Sequence, residues 1–472
     1  MTETYDLIVI GGGAAGITAA TFAARVGVKV ALVEKYRLGG DCTWTGCVPS
    51  KALLKVAKVA HTVRTASDYG VFSNGNSPHV DMTTVRDYIH KAIGEVYKHD
   101  APEHLIEQGI DVIIGAARFK DDRTIQVRER TLQAKKFIIT TGAAPFIPNV
   151  PGLEDVAYIT YHQLFENEHL PERLLIMGAG PIGSEIAQAY QRLGSQVTLI
   201  DVGLLPREEP EVAEVLGRVF AREGMRFVQG LVTAARQEGD EIVLNIDDQE
   251  CRGDMLLVAV GRFPVLDSLE LDRAGVVYTR EGIPVDNYLR TNVKHVYAAG
   301  DCVAGNYQFT HFAGWQAFQA VRNALLPLNS SGFRDVVPWT TFTDPEVAHV
   351  GLTEIQARDK HGDNVRVTLR GLDRVDRAVA DNAQDGFLKV VHTKKGKVLG
   401  ATVVAERAGE MITEYVFAVE KGLKLMDLAN FIHVYPTYSF AAMRLAAEVA
   451  TDNVMDSFTG SVLRVLAGGK AS

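Results

Sequence analysis

Four cysteines in 472 residues are far too few to staple a fold, so a framework of structural disulfides is excluded. A closely spaced cysteine pair in such a chain is either catalytic or metal-binding. A structural zinc needs four ligands, and the sequence nowhere clusters them. No stretch reaches about 18 uninterrupted apolar residues, which excludes a membrane-spanning helix. Lys and Arg number 49 against 58 Asp and Glu, a net charge of -9. That shortage of cations disfavours nucleic acid or an anionic membrane surface as a partner, because either needs its phosphates neutralised. Heptads, short-period repeats and low-complexity tracts are lacking as well. Met1 to Tyr5 runs straight into an apolar strand without a charged leader, so no secretory signal is expected and the expected location is cytoplasmic.

What is present is a strand, glycine turn, helix, strand unit, written twice. Asp6 to Ile10 is a short apolar run, Gly11 to Gly16 punctuates it, Ile17 to Val26 reads as an alanine-rich helix, and Lys29 to Val33 as the next strand. The grammar returns from Arg173 to Ile200, around Gly178, Gly180 and Gly183. Between the two lie a cysteine segment, a helical region to about Gln108 and a strand-rich stretch from Val112 to Ile139. Pro145, Pro148, Pro151 and Gly152 mark a linker. Asp254 to Val260 and His295 to Ala299 read as further strands, the latter ending at Gly300-Asp301. From about Pro338 strands such as Phe387 to Val391 and Leu399 to Val404 precede helices from Glu410 and Ser439, a separate alpha+beta domain.

In the first fingerprint Gly11 permits a tight turn, Gly13 lets backbone approach a pyrophosphate, and Gly16 allows the helix to pack close to the strand. Glu34, at the end of the following strand, is placed to accept ribose hydroxyl hydrogens, and the helix amino terminus can receive phosphate charge. Asp201 lies eighteen residues beyond Gly183, as Glu34 does beyond Gly16, which argues for a second adenine dinucleotide. A carboxylate there repels an added phosphate, so the second site reads as NADH rather than NADPH.

Gly40-Asp41-Cys42 with Gly46-Cys47-Val48-Pro49-Ser50-Lys51, the second fingerprint with Glu185, and Tyr297-Ala298-Ala299-Gly300-Asp301 together resemble the class I pyridine nucleotide-disulfide oxidoreductases, most nearly those related to mercuric reductase. Dihydrolipoamide dehydrogenase and glutathione reductase share that architecture. The resemblance covers essentially the whole chain. It implies an α/β protein of two Rossmann-like nucleotide-binding domains and a carboxy-terminal α+β dimerisation domain. The expected boundaries are 1–150 and 266–338 for the FAD-binding domain, 151–265 for the NAD-binding domain and 339–472 for the interface domain. It also implies a homodimer, FAD as cofactor and a redox disulfide between Cys42, which meets the acceptor, and Cys47, which contacts the flavin. Lys51 and Glu185 are implied as an ion pair beneath the flavin, with Gly142, Asp301, Thr310 and His311 as further FAD contacts and Gly261 as an NAD contact.

The sequence departs from the family pattern where the disulfide reductases carry a catalytic His and Glu: Tyr435 and Phe440 stand in this region. A phenol with a reference pKa near 10 is a poor proton shuttle at neutral pH. Tyr435 therefore reads as an acceptor-site residue from the other subunit, as in the mercuric reductases, with Tyr438 a weaker second and His433 a packed or surface histidine. The tail from Val465 to Ser472 has no thiol to relay a soft metal ion. Pro181 stands where an aromatic lid over the flavin is common, and Cys251 and Cys302 read as incidental buried thiols. The expected activity is electron transfer from NADH through FAD and the Cys42-Cys47 disulfide to a metal ion such as Hg(II), a quinone or another small oxidant, with no structural metal and Cys42 and Cys47 as transient metal ligands. The rival enzyme is a dihydrolipoamide dehydrogenase; the rival outside enzymes is a redox-sensing flavoprotein of slow turnover.

Overall fold

A computed structural model describes residues 2–72, 79–327, 329–455, 462–464 and 466–467. Most of the thiol-free tail lies outside the described residues. The chain divides into two compact units, one of Met1–Gly178, Ala189–Ile200 and Leu231–Arg334, the other of Ala179–Gln188, Asp201–Gly230 and Asp335–Ser472. Among the described residues no helix is long and apolar enough to cross a membrane.

The first unit is built on a sheet ordered Ile110–Ile114, Val30–Glu34, Thr2–Ile10, Arg130–Ile139, Thr124–Val127, Ala117–Asp121, with Val296–Ala298 also pairing to Arg130–Ile139. Thr2–Ile10 runs parallel to both neighbours, and its last four residues are buried, as the continuous apolar run requires of a strand covered on both faces. The helix Ala14–Val26 starts three residues earlier than expected. Ala15, Ala19, Ala20 and Ala23 recur on its buried face, and Gly27 in the left-handed region (φ 86°) ends it by donating to Ala23 and Ala24. Small side chains let this helix lie close to Thr310–Leu325, which presents Ala313, Ala317, Ala320 and Ala324. The second repeat pairs Arg173–Met177 in parallel with Gln196–Asp201 and Met255–Val258.

Pro145 is not in a linker without structure. Ala143–Pro145 pairs antiparallel with Arg262–Pro264, and Pro145 lies opposite Arg262. A proline fits because a two-stranded ribbon has free edges that need no N–H from it. The segment 40–50 forms two helices rather than a loop: Gly40–Trp44 and Cys47–Thr65.

The second unit contains an antiparallel sheet ordered Trp339–Thr341, Glu346–Gly351, Val398–Ala405, Phe387–Thr393, Val365–Gly371. Strands Val398–Ala405 and Phe387–Thr393 are buried along their whole length, and helices Ala408–Lys421 and Phe440–Met455 pack in the same core through Met411, Ile412, Tyr415, Leu445 and Ala446. Lys389 is buried within this sheet, with Glu209, Glu211 and Glu354 at 3.1, 2.7 and 3.0 Å. Beside it, Trp339 Nε1 donates to Glu208 Oε1 at 2.5 Å.

Burial, reinforced by the charge of Glu209 and opposed by the Trp339 hydrogen bond, pushes the Glu208 carboxyl up to about 7. A carboxyl that binds its proton more tightly when folded stabilises fully below its unfolded pKa, and that contribution is lost as pH rises through the folded value. Glu208→Gln is therefore expected to match wild type near pH 4 and to exceed it by on the order of 3 kcal/mol at pH 8. Urea unfolding at the two pH values measures this, and a difference that does not grow with pH would contradict it.

Candidate active site

The first glycine turn is a cramped seat with an open front. Gly11 holds φ +111°, and a Cβ there would stand 2.3 Å from the Thr140 carbonyl; a Cβ on Gly16 would stand 1.7 Å from the Gly11 carbonyl. Gly13, by contrast, would meet nothing nearer than 3.7 Å. The helix that follows has no side-chain cap and no acidic residue in its first turn, so its amino-terminal N–H groups and positive dipole end are left for an anion. The Glu34 carboxylate accepts from Gly12 N at 2.7 Å and Tyr36 N at 2.8 Å, which fixes it at the turn's edge. Thr45 and Thr141 hold buried hydroxyl oxygens with no hydrogen-bond partner in the protein. Gly142 (φ +70°) leaves open space at its α-carbon, and Asp301 follows Gly300 (φ +79°) with its carboxylate largely buried. Orphaned hydroxyls, an uncapped helix and a cradle without side chains fit a dinucleotide such as FAD.

The second turn repeats the construction. Gly178 holds φ +108° with the Ala259 carbonyl 2.5 Å from where a Cβ would be, while Gly180 faces open space. Asp201 accepts from Ala179 N and Val202 N, both at 2.7 Å, the counterpart of Glu34. Gly183 is buried in the helix Pro181–Leu193, and Gly261 (φ +144°) accepts from Phe146 N at 2.9 Å.

The redox segment leans on the first turn. Gly39 N donates to Gly12 O at 2.8 Å, and a Cβ on Gly40 would lie 2.7 Å from the Gly13 α-carbon. Cys42 lies within the helix Gly40–Trp44, and Cys47 opens the helix Cys47–Thr65, where unpaired N–H groups favour a thiolate. Lys51 follows Cys47 by one turn. Neither cysteine is in a disulfide, and Cys47 is exposed with its Sγ 3.4 Å from Thr310 Oγ1. His311, the next residue, is exposed and stacks on Phe309 at 5.5 Å. The hydrogen bond to Cys47, then burial, then the charges of Cys47 and Asp100 push the Cys42 thiol well up, against a smaller opposing effect of Thr310. Thr43 donates to Asp100 at 3.2 Å, and Trp44 stacks between Arg37 and Tyr97 while donating to the Leu38 carbonyl.

In the second unit Glu185 is buried and accepts from Phe342 N at 2.9 Å. Tyr435 is 58% exposed and donates to Asp376 at 2.8 Å. That hydrogen bond and the Asp376 charge hold the phenol above its ordinary range. Tyr438 is buried, its hydroxyl within bonding distance of Glu406 and Asp381, which removes it as an acceptor-site candidate. His433 is not an unengaged histidine: its Nε2 lies 3.0 Å from both Glu414 oxygens. Phe431, Ile432 and Val434 beside it in the chain are exposed, as is Phe417. Cys251 and Cys302 are buried as expected.

Sequence reasoning gave Asp41, Tyr161, Asp100, Glu414 and Arg262 no role. Arg262 belongs to Gly261-Arg262-Phe263-Pro264, which reads only as the end of a strand; yet its guanidinium bridges Asp301 and Asp41, at 2.7 and 2.8 Å.

Residues 5–317 match the pyridine nucleotide-disulphide oxidoreductase pattern and residues 337–446 the dimerisation domain of the same family. A mercuric reductase of Bacillus cereus is 36% identical over 92% of this chain and 69% of its own length. A dihydrolipoyl dehydrogenase of Haloferax volcanii is 34% identical over 93% of this chain and 95% of its own. Among solved structures, the Cu(II) complex of the HOCl-induced flavoprotein disulfide reductase RclA from Escherichia coli superposes with a TM-score of 0.85 at 27% identity, covering 95% of this chain and 100% of that one.

Because Cys47 is the first cause of the raised Cys42 thiol, Cys47→Ala should lower it. Each unit of fall gives tenfold more thiolate but a less nucleophilic one, a net gain of about threefold in rate. Iodoacetamide labelling of Cys42 in the reduced holoenzyme at pH 7, read by mass spectrometry, is expected to accelerate by at least that factor. Equal or slower labelling would contradict the assignment.

Proposed function

The chain belongs to the pyridine nucleotide-disulphide oxidoreductases, and from that premise we propose that it moves electrons from NADH to a soft metal ion such as Hg(II), with quinones and other small oxidants as secondary acceptors. It is an oxidoreductase of the class I flavoprotein type, using FAD and a pyridine nucleotide. The observation that carries the acceptor reading is the exposed sulfur of Cys47 with the Cys42 thiol hydrogen-bonded to it, two soft ligands side by side. The Bacillus cereus relative, named a mercuric reductase, supports it, as does the Cu(II) complex of the Escherichia coli protein.

FAD, when bound, supplies the two-electron link between nicotinamide and disulfide. The residues assigned to hold it are Gly11, Gly13 and Gly16 at the pyrophosphate, Glu34 at the ribose, Asp301 at the ribityl chain, and Gly142, Thr310 and His311 near the ring. Lys51 supplies positive charge beneath the ring, and Glu185 its counter-charge. Gly178, Gly180, Gly183 and Gly261 take the nicotinamide dinucleotide, and Asp201 excludes an added ribose phosphate, which favours NADH over NADPH. Tyr435 completes the acceptor site across a cytoplasmic homodimer, whose interface takes in the exposed Phe417, Phe431, Ile432 and Val434.

A second reading has one specific observation behind it. His433 bound to Glu414 is an oriented imidazole, the group a dithiol or disulfide acceptor needs for proton transfer. The Haloferax volcanii relative, named a dihydrolipoyl dehydrogenase, points the same way.

Steady-state consumption of NADH and NADPH against Hg(II), quinones, lipoamide and oxidised glutathione separates the two. NADH with Hg(II) or a quinone is expected to turn over fastest, and Tyr435→Phe to lower the Hg(II) rate about tenfold, the loss of one transition-state contact worth about 1.4 kcal/mol. Faster turnover with lipoamide would establish the second reading, and inertness of the flavin to NADH would leave only a sensing role. Sedimentation is expected to give about twice the 51.5 kDa chain mass, and Ile432→Asp, at a position 98% exposed in one chain, to shift that toward the monomer.

A further inference from the structure

Four distant segments of the first unit meet at one guanidinium. Arg262 Nε donates to the Tyr161 hydroxyl at 3.1 Å, Nη1 to Asp301 at 2.7 Å, and Nη2 to Asp41 at 2.8 Å and to the Ala143 carbonyl at 3.3 Å. Tyr161 in turn donates to Asp41 at 3.1 Å, and His162 Nε2 lies 3.7 Å from the other Asp41 oxygen. Four of the five N–H donors of a rigid planar fork are thus engaged, a set that a lysine ammonium cannot reproduce. The side chains are withdrawn from water, Arg262 at 19% and Asp301 at 12% exposure. The ribbon pairing of Arg262 with Pro145 fixes the base of the fork.

Asp41 is where this network reaches the chemistry. It precedes Cys42 directly, its carbonyl accepts from Thr45 N at 2.9 Å, and a Cβ on Gly46 would stand 2.8 Å from that same carbonyl. The backbone of Asp41 is therefore packed into the turn that leads to Cys47, and whatever holds Asp41 holds both sulfurs in register.

We propose that Arg262 is the positioning residue of the redox pair: by pinning Asp41 to Asp301, Tyr161 and Ala143 it sets the proximity of Cys42 to Cys47 and thereby the stability of their disulfide. The inference rests on the reading that these two cysteines cycle between dithiol and disulfide. Closing the bond removes two protons and two electrons from the pair, and oxidised glutathione, taking them, becomes two glutathione thiols. Proximity enters that equilibrium directly, since the second sulfur attacks within the chain.

The test is equilibration of the FAD-loaded protein with glutathione buffers, quenching, and counting of free thiols at Cys42 and Cys47 by mass spectrometry, well below the unfolding temperature. Arg262→Lys keeps the charge and loses the fork; the dithiol to disulfide ratio at a given buffer is expected to rise about tenfold, equivalent to about 30 mV for a two-electron couple. Tyr161→Phe removes one arm of the fork at almost constant volume and is expected to shift the ratio about threefold in the same direction. A purely structural clamp would lower the unfolding temperature of both variants and leave the ratio at the wild-type value, which would overturn the proposal. If Arg262→Lys does not fold, Tyr161→Phe decides alone, and an unchanged ratio overturns it. A wild-type protein that forms no Cys42-Cys47 bond in oxidised glutathione would instead overturn the redox reading itself.

Discussion

The backbone contact between the first glycine turn and the start of the redox segment is the constraint on which the site depends. Gly12 accepts from Gly39 N, and Gly40 approaches the Gly13 α-carbon so closely that a Cβ on Gly40 would stand 2.7 Å from it, so Gly40 cannot carry a side chain. One strip of glycine thus serves two purposes. It leaves N–H donors bare for phosphate, and it lets a second chain segment lie against the first without intervening side chains. The Cys42 helix is therefore placed by the same geometry that builds the nucleotide seat, rather than by a loop that happens to pass near it. Leu38 and Glu34 close the gap from the other side, since a Cβ on Gly12 would meet Leu38 Cδ2 at 2.4 Å.

Charge is handled in two contrasting ways. Around Arg262 one cation serves two carboxylates that answer differently. Burial dominates at Asp301 and raises it, whereas at Asp41 an equal tendency is outweighed by His162, Arg262 and Tyr161 and the net shift is downward. In the second unit the buried Lys389 faces Glu209, Glu211 and Glu354. Removing that ammonium would leave the buried Glu209 carboxylate with only the Glu354 N–H to hold it, which costs more than the pairing itself contributes. Both clusters make local geometry specific at the expense of tolerance to substitution.

The parts of this molecule written as local spacing were legible in the sequence. The two glycine turns, their acidic residues and the cysteine pair each depend on a few consecutive positions whose conformation glycine dictates. Arg262 was not legible, because its partners lie 221, 101 and 39 positions away and nothing in Gly261-Arg262-Phe263 distinguishes a fork from a surface arginine. Lys389 misleads in the same manner. In the run Phe387-Leu388-Lys389-Val390-Val391 nothing local marks its partners, since the acidic residues that cover it come from other segments. His433 read only as a packed or surface histidine because its Glu414 partner comes from a separate helix nineteen positions earlier. Pro145 was read as a chain breaker, when its ribbon partner needed no N–H from it.

The short stretch 433–435 separates two kinds of chemistry. Reduction of a divalent metal ion to the metal by NADH releases a proton, whereas reduction of a disulfide by NADH takes one up. Tyr435, held protonated by Asp376, is a neutral oxygen that can face a cation without first losing a proton, and it is ill suited to accept one. The imidazole of His433, oriented by Glu414, is the group that the second reading would use for proton transfer. A metal ion asks only for the sulfurs and a neutral oxygen; a disulfide asks for the imidazole as well. On the proposed reading, a tyrosine where the family pattern has histidine offers the acceptor a polar contact without a proton carrier, which suits an acceptor needing none.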